Sequence, residues 1–273
     1  MVSANPQRSP ILIRGVGDVG SAIAVVLARA GYPVALHDER EPVSARRGMA
    51  FADAVFDVEA VLEGVTARRI DHLAELSATL LKPEFVPVTI LPFTYVLDAV
   101  EWSVLVDARM RKRATPEDQR GLAPLTIGLG PNFVAGQNVD RAIETSWGEH
   151  LGELIENGPM LPLAGEPRSL AGIGRGRFVY APVEGRFETS VRIGDCVSDG
   201  QIIAHIGDVT LSAPFAGTIR GLTRNGVPVA AATKVIEVDP RGDPSAAFGL
   251  GERPRRIAGG VYRALSSAES GQR

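Results

Sequence analysis

The sequence predicts an α/β domain built on a parallel sheet, followed by a smaller all-β module. Two observations carry this. Near the start, a short apolar run leads into closely spaced glycines, a helix-forming stretch and a second apolar run. In the second half, residues 179–206 match residues 211–238 at a constant offset of 32. Composition agrees: 273 residues with 45% hydrophobic and 22% charged residues suit one large or two ordinary globular domains.

Pro10 to Arg14 reads as a buried strand that stops at Gly15. Gly15, Gly17 and Gly20 then stand in G-x-G-x-x-G spacing, with Val16, Asp18 and Val19 between them. Ser21 to Ala30 is small, apolar and helix-forming, and Gly31 ends it. Pro33 to Leu36 reads as the second strand, and Asp38 follows, 18 residues after Gly20. Strand, glycine turn, helix, strand and acid in this order predict a Rossmann-like dinucleotide-binding unit. In such a unit Gly15 permits the tight turn. Gly17 lets the backbone approach a pyrophosphate, and Gly20 lets helix and strand pack closely. The helix N-terminus attracts phosphate. Asp38 is placed to accept from ribose hydroxyls, which favours NAD over NADP. Asp18 is the discordant residue. Its carboxylate is also placed to cap the helix and to repel a phosphate.

Later segments continue the alternation. Asp71 to Leu81 reads as a helix ending before Pro83, and Val86 to Leu91 and Ser103 to Val106 as strands. Beyond the second lie Asp107 and a basic cluster, Arg109, Arg111, Lys112 and Arg113. At a strand's carboxyl end such a cluster suits an anion; a solvated helix face is the alternative. Arg46 and Arg47 carry the same two readings, and Arg46 joins the candidate cofactor residues. Leu125 to Leu129 is a further strand, closed by Gly130, Pro131, Asn132 and Phe133. Gly130 and Asn132 make this turn a candidate second ligand loop. The expected boundaries are 8–165 for the Rossmann-like nucleotide- or cofactor-binding domain, 166–242 for the β module, and 243–273 for a linker and final helix. Ile257 to Leu265 is expected to pack back onto the core.

In the duplicated half, Ala181-Pro182 recurs as Ala213-Pro214, and Gly185, Arg192, Gly194 and Val197 as Gly217, Arg224, Gly226 and Val229. Each unit is β-rich with glycine turns: Phe187 to Ile193, Gln201 to Ile206, Thr218 to Thr223 and Val235 to Val238 are strand-like. Two equal units predict a pseudo-twofold sandwich. The runs Gly194-Asp195-Cys196-Val197, Gly200-Gln201 and Ala213-Pro214-Phe215-Ala216-Gly217 resemble a biotinyl- or lipoyl-type barrel-sandwich hybrid domain. The resemblance implies that a carrier lysine would sit on the hairpin Gly207-Asp208-Val209-Thr210. That hairpin has no lysine, so the module reads as a scaffold or docking unit. Cys196, the lone cysteine, reads as a buried core thiol. No two of His37, His72, His150 and His205 stand at helical metal-ligand spacing, and no metal site is expected.

Net charge -3 and a pI of 5.9 lack the basic footprint of nucleic-acid binding. No apolar run suits a membrane span, and Met1 to Pro10 has no basic segment leading into an apolar run. A cytoplasmic location is expected. With both halves in view, the chain resembles the selenium-dependent molybdenum hydroxylase system protein family. The resemblance runs through Arg14-Gly15-Val16-Gly17-Asp18, Phe51-Ala52-Asp53-Ala54-Val55 and Val106-Asp107-Ala108-Arg109-Met110. It continues through Ile127 to Gly136, Asp239-Pro240-Arg241-Gly242-Asp243 and Ile257-Ala258-Gly259-Gly260-Val261. It implies an accessory or maturation protein for a molybdenum hydroxylase. The implied partners are that enzyme or its maturation components, and homo-oligomers are compatible with it. The nucleotide-type ligand would then be NAD or molybdopterin cytosine dinucleotide. Alternatives from the residues alone are an NAD(P)-dependent oxidoreductase and a non-catalytic adaptor with a degenerate Rossmann fold. Catalytic residues are not identified.

Overall fold

The computed structural model describes residues 8–111, 114–162 and 167–271. Lys112 and Arg113 of the basic cluster, and the expected boundary between 165 and 166, lie outside the described residues.

β1 (Ile11–Arg14) is fully buried, as a central strand of a sheet covered on both faces must be. Helix α1 (Asp18–Arg29) follows directly and starts three residues earlier than its apolar pattern suggests. β2 (Val34–His37) pairs parallel with β1 on one side. Then come α2 (Ala54–Asp57), the hairpin β3 (Glu59–Leu62) and β4 (Val65–Ile70), and α3 (Leu73–Leu81). β5 (Val86–Thr89), α4 (Phe93–Ala99), β6 (Val104–Asp107) and β7 (Leu125–Leu129) complete the alternation. Strands Arg141–Ile143 and Leu154–Ile155 extend the sheet to nine strands. From one edge the order is β3-β4-β5-β2-β1-β6-β7, then Arg141–Ile143 and Leu154–Ile155. The chain steps outward from β1 through β2 to β5, then returns to β6 on β1's other side. The strand order therefore reverses between β1 and β6, and a crevice forms outside the carboxyl ends of strands at such a point.

One face of the sheet packs against α1, α2 and the final helix α5 (Glu252–Gly271); the other packs against α3 and α4. The expected return of the C-terminal helix is observed. Ile257, Val261 and Leu265 recur every fourth residue and are buried with Ala22, Ile23 and Leu27 in one core. Burying each such side chain contributes about 1.5–3 kcal/mol. Gly260 stays Gly because a Cβ there would sit 2.3 Å from the Gly152 carbonyl oxygen.

The β module consists of two four-stranded antiparallel sheets. The duplication maps onto it strand by strand: Gly185–Glu188 onto Gly217–Leu222, Cys196–Val197 onto Pro228–Val229, and Ile202–Ile206 onto Lys234–Asp239. The units do not each form one sheet. Phe178–Tyr180 and Cys196–Val197 of the first unit flank Lys234–Asp239 and Gly217–Leu222 of the second. Val209–Ser212 and Pro228–Val229 flank Ile202–Ile206 and Gly185–Glu188 in the reciprocal arrangement. Each sheet thus draws on both units, and their apolar faces meet in one core around Phe187, Ile219 and Val235. Cys196 is exposed, against the expectation of a core thiol. In a strand alternate side chains face opposite ways, and Val197 takes the inward position.

Candidate functional site

The carboxyl edge of the parallel sheet gathers the glycine loop, Asp38, the residues after β6 and the Gly130 turn. Gly15 has φ +111°, and a Cβ there would sit 2.9 Å from the Ala108 carbonyl oxygen. At Gly20 a Cβ would sit 1.9 Å from the Gly15 carbonyl oxygen. Backbone packing therefore excludes a side chain at the first and third glycines. Gly17 differs. A Cβ there would meet nothing within 4 Å, so no neighbour in the protein demands glycine at this position. Val16 and Val19 are buried beneath the loop. The Ser21 hydroxyl ties the loop down, donating to the Val16 carbonyl at 2.9 Å and accepting from the Phe51 N–H at 2.8 Å.

Asp38 lies at the end of β2, as the sequence places it. Its Oδ2 accepts from the Val16 N–H at 2.8 Å, and its Oδ1 from the Glu39 N–H at 2.8 Å. The carboxylate therefore braces the glycine loop. Burial raises its pKa despite these two hydrogen bonds. Gly130 has φ +104°, and Met110 is the nearest neighbour to its missing Cβ. The Gly130 turn and the glycine loop thus flank the same segment, 108–110. The Asn132 side chain donates to the Ala114 carbonyl at 3.2 Å.

Asp18 and Arg46 face the β module. Asp18 Oδ1 accepts from the Val19 N–H at 3.0 Å, and its Oδ2 from Arg46 Nη1 at 3.1 Å. The same guanidinium grips Glu237, Nε to Oε2 at 2.8 Å and Nη2 to Oε1 at 3.2 Å. Arg46 was expected among the cofactor residues; its Nε, Nη1 and Nη2 each donate to a carboxylate that ties the two parts of the chain together. Arg177 Nε at 3.2 Å and Arg220 Nη1 at 3.4 Å also reach Glu237 Oε1, with Lys234 Nζ 3.9 Å from Oε2. Glu237 has no exposed surface. Burial raises its pKa, but Arg46 and the other cations outweigh that and hold it at about 2. Burial likewise opposes ionisation of Asp18, and Arg46, Lys234 and Arg253 outweigh it, so its pKa is lowered. The same segment docks further along. Leu222 N–H donates to the Ala45 carbonyl at 2.6 Å, Arg47 Nε to the Leu222 carbonyl at 2.8 Å, and Arg224 pairs with Asp53 and Asp57.

On the other side of β1 stands a second arginine group that includes Arg109 and Arg111 of the sequence's basic cluster. Asp107, buried at the end of β6, accepts from Arg109 and from Gln119 Nε2. Arg14, at the end of β1, stacks its guanidinium 3.7 Å from the Phe93 ring centroid. His37 ends β2 beside them. Burial, reinforced by Arg14 and Arg109, lowers its pKa to about 4, so it is neutral at pH 7. His37, Glu117 and Glu237 carried no motif signal, and Arg14 entered only as the residue before the glycine loop; the role of each depends on what folding places beside it. Arg241 is held by Asp239, Nε to Oδ1 at 2.9 Å and Nη2 to Oδ2 at 2.6 Å, the local pairing an Asp-flanked arginine favours.

No family model matches the chain. A curated relative, uncharacterized protein YqeB of Escherichia coli K12, is 37% identical over 257 residues and matches 93% of this chain. The chain spans about half the length of that relative, 47%. A succinylglutamate desuccinylase from Silicibacter sp. TM1040 is 12% identical, with a TM-score of 0.24 over 86% of both chains. A putative succinylglutamate desuccinylase/aspartoacylase family protein from Shewanella amazonensis SB2B is 11% identical, with a TM-score of 0.25 over 88% of this chain and 92% of that one. TM-scores this low do not establish a common fold. The expected membership of the molybdenum hydroxylase system family is corrected by these results. Neither the curated relative nor the solved structures point to a molybdenum hydroxylase accessory protein, so that assignment and the maturation role drawn from it are withdrawn.

Proposed function

We propose that the chain binds a phosphate-bearing, nucleotide-type ligand at the carboxyl edge of the parallel sheet, over the loop from Gly15 to Gly20. The observation that carries this is the difference among the three glycines. Gly15 and Gly20 are required by backbone contacts, whereas Gly17 faces open space at the start of α1. A side chain absent without a packing reason leaves room for a group from outside the protein. The strand-order reversal between β1 and β6 supports the same place, since ligands of Rossmann-type sheets bind there. Asp18, the residue that argued against a phosphate, has its charge balanced by Arg46, Lys234 and Arg253. Asp38 retains its position for a ribose hydroxyl, because a carboxylate oxygen accepting one N–H can accept a second donor. The reciprocal sheets of the β module fit a barrel-sandwich scaffold fixed to this site through Glu237 and Arg46.

Calorimetric titration with NAD, NADP and CTP tests the reading, with Gly17→Trp as the control. One of these ligands should bind saturably to the native chain and not to the variant. The variant should remain folded, within about 1 kcal/mol of the native stability, because its position is open. Absence of binding by all three, or equal binding by the variant, rejects the reading and leaves the loop as a packing device.

A further inference from the structure

Three guanidiniums converge on one side chain at the reversal point of the sheet. Arg14 Nη1 reaches Glu117 Oε1 at 2.9 Å, Arg109 Nη2 the same oxygen at 2.7 Å, and Arg111 Nη2 reaches Oε2 at 2.5 Å. The convergence is built by the backbone. Arg14 ends β1 and is buried, and its Nε has no hydrogen-bond partner. Arg109 and Arg111 both reach toward Asp107 and Glu117, and Met110 between them is a non-glycine residue at φ +55°. Holding a methionine in the left-handed region costs free energy, and such residues cluster at binding and catalytic sites. Asp107 beneath and the Phe93 ring over Arg14 keep the forks in place.

Glu117 itself is built differently. Its side chain is 45% exposed and belongs to an irregular stretch before β7, anchored two residues later by Gln119. Arg14 is preset at the end of a sheet strand and Arg109 is held by Asp107 at the end of the next, whereas the group received can swing into water. Three arginines against Asp107 and Glu117 leave one positive charge in excess, and two when Glu117 swings out.

We propose that Arg14, Arg109 and Arg111 form a binding site for a small dicarboxylate, and that Glu117 is an internal stand-in which the ligand's carboxylate displaces. One carboxylate of the ligand takes the two oxygen positions that Glu117 now fills, and the second balances the remaining charge. Arginine forks suit the planar carboxylate because their N–H groups can meet its two oxygens separately. Burial opposes ionisation of the Glu117 carboxyl, and Arg109 and Arg111 outweigh it, holding the carboxyl well below the usual range. The assignment shares an edge with the nucleotide reading but none of its residues, and it stands without it.

The test is calorimetry at pH 7 and fixed ionic strength with malonate, acetate and phosphate, on the native chain, Glu117→Gln, Glu117→Ala, and Glu117→Gln combined with Arg111→Gln. Both single variants should bind malonate about ten-fold more tightly than the native chain, the scale of one charge-assisted contact. The double variant should lose that gain, and acetate should bind more weakly than malonate. Equal malonate affinity in the native chain and both single variants, including no binding by any, overturns the proposal. Phosphate binding Glu117→Gln as tightly as malonate overturns the carboxylate assignment, because the site would then select charge alone.

Discussion

Two of the arginine–carboxylate clusters differ in what surrounds the carboxylate. Between the sheet domain and the β module, Glu237 is fully buried and draws Arg46, Arg177 and Arg220 onto itself. At the sheet's carboxyl edge, Glu117 draws Arg14, Arg109 and Arg111 but stays half in water. The donor chemistry is the same. A buried carboxylate cannot leave without stranding several cations in a medium of low dielectric, so the first cluster is a fastening. A half-exposed one exchanges protein contacts for water at little cost, so the second can open. Burial rather than the number of contacts separates structure from function here.

The largest effect should come from breaking the fastening. Glu237→Ala leaves three arginines facing one another and should cost about 3–5 kcal/mol, read from urea unfolding. An unchanged unfolding midpoint would show that the two clusters are equivalent. The pH dependence of stability should separate them next. Glu237 has a folded pKa of about 2 against an ordinary 4.5, so its stabilisation is complete above pH 4.5 and is lost as pH falls toward 2. His37, at the other cluster, moves from 6.5 to about 4. The unfolded chain takes up that proton first, so stability falls as pH drops from 6.5 to 4. Each window should be worth about 3 kcal/mol at its lower limit. His37→Gln should abolish only the upper window, and Glu237→Gln only the lower; loss of both windows in one variant would show that the regions are coupled. The smallest effect should be that of Glu117→Gln, under about 1 kcal/mol in the same unfolding measurement, since a half-exposed pair contributes little. A cost matching that of Glu237→Ala would remove the distinction.

Much of the architecture was legible in the residues. The runs around β1, β2, β5, β6 and β7 are short and apolar because both faces of these strands are covered. The offset of 32 foretold equivalent strands in the β module, but not that each unit contributes to both sheets. The hairpin β3–β4 was missed, because Glu59 to Ile70 mixes charged and apolar residues without a clear period. Of the site, the glycine spacing and Asp38 were readable since both are local along the chain. The misplacement of Cys196 came from the same source. Residue type suggested burial, and only the position in a two-residue strand decided which way it faced.

The sequence by itself determined the mixed α/β class with its parallel sheet, the glycine loop, the duplication and the return of the final helix. All four rest on periodicity, spacing or glycine's lack of a side chain, which neighbouring residues reveal. Tertiary structure alone decided which arginines meet the distant carboxylates. Arg46 and Glu237 are 191 positions apart, and Arg14 and Glu117 are 103 apart. It also decided how much water each pair keeps. A charge takes its role from its dielectric surroundings and from partners brought by folding, and neither is written in local sequence.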